Sequence, residues 1–465
     1  MTSHEPNFLE NLRAELSSGR LWLDRALVLA YAVAAGLFVV GLTFASNWAF
    51  EGFRFIHETR PWMLLLWMPA LTAAIVWTTR RWFPGVAGSG IPQVKAALHP
   101  ALPPERRGRF VSLRLTLAKV GLTVAGFAAG LSIGREGPSV QVAAGVMQHA
   151  RRWLSPGSTI NMRGLLVAGG AAGIAAAFNA PLAGVVFAIE ELSGKLESRA
   201  SGLIITAIVL AGLVAVTAFG NLSYFGRIRG STLGFAVVWP GLLVTLAAGA
   251  AGGLFARVMS ASLTGAPDRF NHWRARYPVR FAALGGLVLA VIGLVTAGAT
   301  FGAGSDAVKH LLAGEGQLTP IDTLLKFIAT WLTAWCGVPG GIFAPALTVG
   351  AGIGASISQL FGPELTLALI AMGMAGFLAA VTQAPLTAFI IVMEMVDGHS
   401  MVLSLMASAM LASLVSRMIS RPLYETLAEH MVAGAIGSPA AVVSDDAAKE
   451  IGAQPEPTAP APTFP

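Results

Sequence analysis

The feature that most constrains this chain is a nearly continuous series of apolar segments, several of them interrupted by glycine or proline. The first runs from Ala26 to Phe50, about the length needed to span a bilayer. Ten more follow, at about 62–79, 110–133, 163–190, 202–219, 233–258, 280–302, 322–336, 342–360, 364–396 and 401–416. Only 12% of the residues are charged, against about 25% in an average soluble domain. The sequence therefore predicts a multi-spanning membrane protein embedded in a lipid bilayer.

The interruptions and the charge pattern narrow the function classes. Broken helices at membrane depth are tolerated only where protein surrounds them or where they line a cavity. The formal net charge is +7, but the basic residues cluster in short connections, as the positive-inside rule describes, and do not indicate nucleic-acid binding. Cys336 is the single cysteine, and the eight histidines fall in the termini or near breaks between apolar segments. The sequence thus predicts no disulfide, no metal centre and no cofactor.

The two ends of the chain are polar. Arg13, Arg20 and Arg25 precede the first apolar segment, so we expect residues 1–25 to be a cytoplasmic N-terminal segment without a cleavable signal peptide. After about residue 432 the chain turns polar and ends in PEPTAPAPTFP. We expect a membrane domain over residues 26–428 and a disordered tail over 429–465, too short for an appended globular domain.

The chain also repeats itself. Gly134-x-x-x-Pro138 recurs as Gly341-x-x-x-Pro345, 207 residues later. Ala-Pro-Leu at 180–182 is followed by Glu190, and Ala-Pro-Leu at 384–386 by Glu394, so this pattern recurs after 204 residues. Two matched motifs at nearly the same offset indicate an internal duplication, with halves of about 26–219 and 233–428. Such repeats often have inverted topology and hold the substrate between broken helices at their interface.

Three glycine-rich stretches predict helices that begin in the middle of apolar sequence. They are AGSGIPQVKAAL at 87–98, GREGPSVQ at 134–141 and GGIFAPALTVG at 340–350, each with a proline at the expected helix start. A helix N-terminus presents unpaired N–H groups and about half a positive charge. Several such ends meeting at one point would form an anion site. Dipoles and hydroxyl groups hold an anion weakly enough for it to leave again.

Four polar residues near these stretches each have two interpretations. Glu136 is either a carboxylate stabilised at a helix start or paired with Arg135, or a gate that occupies the anion position and releases it on protonation. Glu190 and Glu191 end an apolar run and are either solvated ends or proton acceptors. Tyr424 is either an interfacial aromatic anchor or a hydroxyl donor to the anion.

Together these stretches resemble the CLC chloride channel and transporter family, in its prokaryotic chloride/proton exchanger branch. The resemblance covers roughly residues 26–428 and is carried by GSGIP at 88–92, GREGP at 134–138, FNAPLAG at 178–184, GIFAP at 341–345 and PLY at 422–424. It implies an all-α fold of many tilted and broken helices in two inverted repeats. It also implies a homodimer with one pore per subunit, in a bacterial inner membrane with both termini cytoplasmic.

The resemblance assigns roles to individual residues. Ser89 and Tyr424 match the hydroxyl donors to the central chloride, and Ile342 and Phe343 match its backbone N–H donors. Glu136 matches the external gating glutamate, and Glu191 matches the internal proton-transfer glutamate of the exchangers.

Individual residues of this chain, compared with the variants known within the family, refine the expected selectivity and regulation. Serine at 89 favours chloride, and the intact GSGIP and GREGP differ from the fluoride-specific branch. Gln93 stands where the family often has glutamate, which puts the acidic surroundings of the inner proton path in question. Many relatives carry a regulatory nucleotide-binding domain pair, the CBS domains, at the C-terminus, and we expect none in the short tail at 429–465.

Two competing functions remain open at the level of sequence. A passive chloride channel would use the same pore, and only Glu191 argues for proton coupling. GLSIG at 130–134 matches the G-x-S-x-G pattern of a serine nucleophile. That pattern requires a strand before the serine and a base beside it, neither of which the sequence indicates.

Overall fold

The computed structural model describes residues 19–156, 158, 160–193, 201–220, 225 and 235–437. This part of the chain is almost entirely helical and contains no β-strand. Its helices are α1 (Gly19–Thr59), α2 (Leu64–Trp82), α3 (Ile91–Leu98), α4 (Leu113–Ala128), α5 (Glu136–His149), α6 (Met162–Phe178), α7 (Pro181–Phe187), α8 (Ser201–Phe219), α9 (Val238–Thr264), α10 (Arg269–Arg276), α11 (Pro278–Val295), α12 (Ser305–Leu312), α13 (Pro320–Cys336), α14 (Phe343–Ser358), α15 (Thr366–Thr382), α16 (Pro385–Met395), α17 (Val402–Arg417) and α18 (Leu423–Ile436).

Eight helical stretches in the described residues are long and apolar enough to cross a membrane, so the chain is an integral membrane protein. The longest, α1, has 41 residues and is about 60 Å long, twice the roughly 30 Å of the hydrocarbon core. It therefore crosses at a tilt or extends beyond the core. By contrast, α5 and α14 have 14 and 16 residues and are buried along nearly their whole length. They are the broken helices that the sequence predicts.

Two long apolar segments are each divided into two helices by the same device. The segment at 163–190 breaks after Asn179, a left-handed residue with φ 55°, and α7 begins at Pro181. The segment at 364–396 breaks after Gln383, with φ 59°, and α16 begins at Pro385. A left-handed residue ends the helix, and proline is favoured where the next one starts. Hydropathy alone does not reveal these breaks, because the residues on both sides are apolar.

The predicted duplication is present as two inverted repeats. Helices α1–α8 recur in order as α9 and α11–α17, and α5 and α14 begin 207 residues apart. The loops that precede α5 and α14 pair as an isolated antiparallel bridge between Gly134 and Gly341. Antiparallel pairing of equivalent segments is what an inverted repeat requires.

Small residues allow the central helices to approach closely. A Cβ atom on Gly173 of α6 would lie 2.5 Å from the carbonyl oxygen of Ser139 on α5. In the second repeat, a Cβ atom on Gly350 of α14 would lie 2.4 Å from the carbonyl oxygen of Gly373 on α15. These pairs pack backbone against backbone, as small residues permit in membrane proteins. They bring the N-termini of α5 and α14 to the centre of the molecule.

Both predicted boundaries of the membrane domain differ from the helices. The first helix is described from Gly19 and so includes residues before Ala26. Within it, the buried Asp24 carboxylate accepts hydrogen bonds from the N–H and hydroxyl of Ser155, both at 3.0 Å. The last helix continues to Ile436, with Val432 and Ala435 buried, and ends at the left-handed Gly437. Residues 429–436 are therefore helical, which corrects the expected disordered tail. The remainder of that tail and residues 1–18 lie outside the described residues.

Candidate functional site

The three predicted helix starts meet at one junction. Gly134 and Gly341 exchange two hydrogen bonds, with N–O distances of 2.8 and 2.7 Å, and Gly340 N donates to Gly88 O at 3.1 Å. Helices α3, α5 and α14 begin within three residues of these contacts, at Ile91, Glu136 and Phe343. Their first N–H groups lack acceptors within their own helices. The junction therefore gathers the positive ends of three helix dipoles.

Three polar side-chain atoms are buried at this junction without a hydrogen-bond partner among the described residues. They are Ser89 Oγ, Glu136 Oε2 and Tyr424 Oη. The carboxyl group of Glu136 also lies against the backbone amide of Ala344, and the Tyr424 hydroxyl lies within electrostatic reach of the Ser89 hydroxyl. Buried polar atoms almost always have partners, so unsatisfied ones in a native structure need an explanation. A bound polar ligand would supply it.

Backbone and rings complete the surroundings of these atoms. Ile342 is the N-cap and Phe343 the first residue of α14, so their N–H groups are among those left without helical acceptors. The Phe343 ring lies 5.9 Å from the Tyr424 ring and stacks at 6.2 Å on Phe178. The junction thus combines backbone donors, two hydroxyl groups and apolar rings. The residues present suit a small anion with little hydration.

Glycine is required at two positions of the GREGP motif, Gly134 and Gly137. A Cβ atom on Gly137 would lie 2.3 Å from Ser89 Oγ, and one on Gly134 would lie 2.2 Å from Glu136 Oε2. Any side chain at these positions would occupy the space that the hydroxyl and the carboxylate now use. The GREGP motif therefore leaves room for the polar atoms as well as starting the helix.

An open cavity of about 690 Å³ leads to Glu136 from one side of the molecule. Arg135 also lines it and donates from Nη1 to Asn47 Oδ1 at 2.6 Å. The rim contains several other charged or titratable side chains, namely Glu51, Arg54, His57, Glu58, Asp306, Lys309 and His310. Glu136 itself is only 1% exposed and lies where this cavity meets the junction.

The inner glutamate has a partner that the sequence reasoning missed. Glu191 lies in a π-helical segment, Ala188–Ser193, that continues α7, and its Oε1 forms a 2.8 Å ion pair with Lys95 Nζ of α3. Its side chain is 7% exposed. Both Glu191 and Glu136 lie within electrostatic reach of the Tyr424 hydroxyl. The sequence feature that could have indicated this ion pair is Lys95, which is the only charged residue between Gly88 and Leu98.

Gln93, which departs from the family pattern, has a local structural role. Its Oε1 accepts a hydrogen bond from Gly90 N at 2.9 Å, and its Nε2 donates to Ala87 O. These bonds close the turn that carries Ser89. The side chain is 2% exposed.

Glu190 and Glu394 cap each other's helices across the two repeats. Glu394 accepts hydrogen bonds from Leu182 N at 3.3 Å and Ala183 N at 2.7 Å, at the start of α7. Glu190 accepts from Leu386 N at 3.1 Å and Thr387 N at 2.6 Å, at the start of α16. The sequence motif Ala-Pro-Leu followed by Glu was correctly read as a repeat, but its reciprocal capping was not anticipated. The structure thereby distinguishes Glu190, a cap, from Glu191, an ion-paired carboxylate.

Two buried lysines also repeat with the 207-residue offset. Lys119 donates to Val86 O at 2.9 Å and Gly88 O at 2.6 Å, next to Ser89. Lys326 donates to Thr300 O at 3.0 Å and Gly302 O at 2.7 Å in the equivalent loop. Neither side chain lies more than 2% exposed. Each lysine fixes the loop before a short helix by binding its carbonyl oxygens.

The serine of GLSIG is not arranged as a nucleophile. Ser132 Oγ lies 2.9 Å from Thr330 Oγ1 and is 3% exposed. The residue lies in a turn between α4 and α5, without the strand that a nucleophile elbow requires. The described residues also contain no group of three or more His, Cys, Asp or Glu side chains that could hold a metal ion.

Comparison with known proteins agrees with this architecture. A family model described as voltage gated chloride channel matches residues 71–417. The H(+)/Cl(-) exchange transporter ClcA of Cronobacter sakazakii is 30% identical over 380 residues, which is 79% of this chain and 79% of that protein. The ClcA of Citrobacter koseri is 28% identical over 392 residues, 80% of each chain.

A solved structure of similar fold is that of a slow cyanobacterial Cl⁻/H⁺ antiporter, with a TM-score of 0.75 and 24% identity, covering 88% of this chain and 98% of that one. A CLC-type fluoride/proton antiporter gives a TM-score of 0.71 with 21% identity and the same coverage. From the family model, the relatives and the shared fold, this chain belongs to the voltage gated chloride channel family, the CLC family of transport proteins.

Proposed function

We propose that this protein is a secondary active antiporter that exchanges chloride for protons across a membrane. The observation that carries the proposal is the set of three unpartnered polar atoms, of Ser89, Glu136 and Tyr424, where three helix N-termini meet. The proteins named H(+)/Cl(-) exchange transporter among its relatives support exchange rather than passive conduction.

Chloride is the substrate of this junction in the proposal. The hydroxyl groups of Ser89 and Tyr424 donate to it, together with the backbone N–H groups of Ile342 and Phe343. Lys119 bonds two carbonyl oxygens of the loop that carries Ser89, so partial charges hold the ion and permit its release. Serine at position 89 favours chloride over nitrate.

Protons use two carboxyl groups. Glu136 is the external gate: its carboxylate competes with chloride for the junction, and protonation frees it to move toward the open cavity. Glu191 exchanges protons with the opposite side of the membrane. The ion pair with Lys95 supports this role because it holds Glu191 at a fixed position near the Tyr424 hydroxyl.

The assembly and location follow the family resemblance. We propose a homodimer with one pore per subunit, embedded in the lipid bilayer of a bacterial inner membrane, with both chain termini in the cytoplasm. Arg20 and Arg25 before the first apolar segment support this orientation.

The test uses purified protein in liposomes loaded with high chloride and placed in low chloride at equal pH. With the voltage held at zero by potassium and an ionophore, we expect chloride efflux to drive proton uptake, seen as a rise in external pH. Glu191→Gln should retain chloride efflux and lose proton uptake, while Glu429→Gln, an exposed glutamate of α18, should retain both. Chloride efflux without proton movement in the unmodified protein would instead indicate a channel.

A further inference from the structure

A second cavity, of about 480 Å³, is lined by residues other than those of the anion junction. It lies between the end of α2, the 3₁₀ turn Pro104–Arg109, the start of α4 and the end of α18. We call it the arginine cavity. The lining residues that matter here are Trp82, Arg109, Ser112, Arg114, Leu115 and Met431.

The charge around the arginine cavity is mostly positive. Residues 80–86 and 104–114 contain six arginines and one acidic residue, Glu105. Arg109 and Arg114 are exposed and form no ion pair with a carboxylate in the described ranges. Arg114 instead stacks its guanidinium over the Phe83 ring at 5.2 Å. Two guanidinium groups without carboxylate partners face the same cavity.

The cavity lies at the boundary of the membrane-spanning region. The candidate span Pro61–Trp82 ends at it, and the candidate span Pro104–Ala128 begins at it. Trp82 is 49% exposed, and tryptophan is enriched at the level of the lipid headgroups. Leu113 and Leu117 of α4 are 38% and 59% exposed beside the cavity, so an apolar surface continues from it along the helix.

We propose that the arginine cavity binds the headgroup of an anionic phospholipid. Arg109 and Arg114 donate to the phosphate oxygens, a geometry for which guanidinium groups are well suited. The Ser112 hydroxyl, which accepts a hydrogen bond from Leu115 N at 3.3 Å, keeps its own proton available for the same phosphate. The acyl chains lie along Leu113 and Leu117.

The walls of the arginine cavity are bonded to the elements that carry the anion junction. Gln141 of α5 donates to Gly85 O at 2.9 Å and to Phe110 O at 2.7 Å, and both acceptor residues line the cavity. Arg106 donates to Ala435 O on α18, the helix whose second residue is Tyr424. A bound lipid therefore stabilises the helices of Glu136 and Tyr424, and we expect transport to be faster in anionic than in zwitterionic membranes. Only this last expectation rests on the proposed transport function.

The test of binding does not depend on transport. Purified protein in detergent is titrated with phosphatidylglycerol, and bound lipid is counted by native mass spectrometry. Arg109→Gln/Arg114→Gln should weaken binding roughly 25-fold, from about fivefold for each arginine removed. The matched control, Arg269→Gln/Arg276→Gln, removes two exposed arginines from α10, outside the cavity. Helix α10 lies on the same side of the molecule as the arginine cavity, because Arg274 of α10 is close enough to Arg80 at the end of α2 for their charges to interact. The control should change the affinity less than threefold.

Other outcomes would overturn the proposal. Equal weakening in both double variants would mean diffuse attraction to a basic surface. Equal binding of phosphatidylcholine, or full competition by water-soluble glycerol phosphate, would mean that no anionic lipid is selected. If the double variant loses its native thermal transition, the single change Arg114→Gln provides the measurement, with about fivefold weaker binding expected.

Discussion

At the scale of single residues, the adjacent glutamates Glu190 and Glu191 have different roles. Glu190 accepts two backbone hydrogen bonds from α16, whereas Glu191 is paired with Lys95 at 2.8 Å. A carboxylate bound to two N–H groups has a fixed structural task. A carboxylate paired with a single lysine, whose side chain is 20% exposed, can exchange that partner for a proton, which suits a group that transfers protons.

The Lys95–Glu191 pair can be measured directly. We expect Lys95→Met to lower the free energy of unfolding by about 2 kcal/mol, because it leaves a buried carboxylate without its partner. The double variant Lys95→Met/Glu191→Gln should recover most of this loss. A double-mutant cycle from thermal unfolding of the four proteins gives the coupling energy, and Lys95→Arg is the charge-retaining control. Additive losses would show that the two side chains do not interact in the membrane.

Ser89 Oγ and Tyr424 Oη are buried without a hydrogen-bond partner among the described residues, so we expect their removal to act mainly on the anion. We expect Ser89→Ala and Tyr424→Phe each to weaken chloride binding about three- to tenfold, the value of one ordinary hydrogen bond. Isothermal titration calorimetry checks this. The control is Ser413→Ala, which removes another buried hydroxyl without a hydrogen-bond partner, on α17. A similar loss in that control would mean that the effect comes from packing.

At the scale of elements, the helices were largely predictable and their ends less so. The motifs GSGIP, GREGP and GIFAP predicted three helices with a proline near each start, because the fixed φ of proline suits the first helical turn. The observed helices begin one or two residues before those prolines, at Ile91, Glu136 and Phe343. The helical residues 429–436 were misjudged for a different reason. Val432 and Ala435 pack into the core, whose other residues lie far away in sequence. Lys95 escaped notice because its partner is 96 residues away.

Mutation of the reciprocal caps tests how far the two repeats stabilise each other. We expect Glu394→Gln to destabilise the protein by about 1–2 kcal/mol, because the charge at the N-terminus of α7 is lost while an acceptor oxygen remains. Glu394→Ala should cost more, since Leu182 N and Ala183 N then lose their acceptor. Thermal unfolding in detergent measures both, and Glu364→Gln, outside this contact, is the control. Equal stability of all three variants would contradict the capping role.

At the scale of the whole molecule, the two repeats are joined mainly by contacts rather than by the connection between them. The glycine bridge, the two glutamate caps and the bond from Gly340 N to Gly88 O are among the contacts that link the halves. We expect fragments 1–225 and 226–465, expressed together, to assemble into a protein that transports chloride in liposomes. Either fragment alone should show no transport, because Ser89 and Glu136 lie in one half and Phe343 and Tyr424 in the other. Activity in a single fragment would show that the junction is not shared.

The glycine bridge lies on the pseudo-twofold axis that relates the halves, and the residues around it obey the symmetry only in part. Lys119 and Lys326 correspond, as do the bridging glycines. The equivalent of Glu136 is Phe343, and the equivalent of Ser89 in the loop at 302–304 is Ala303. A strictly symmetric pair of halves would offer the same chemistry to both faces of the membrane. Divergence after duplication therefore kept the shared scaffold and gave one half the carboxylate and the other the aromatic ring, which makes the two ends of the path distinguishable.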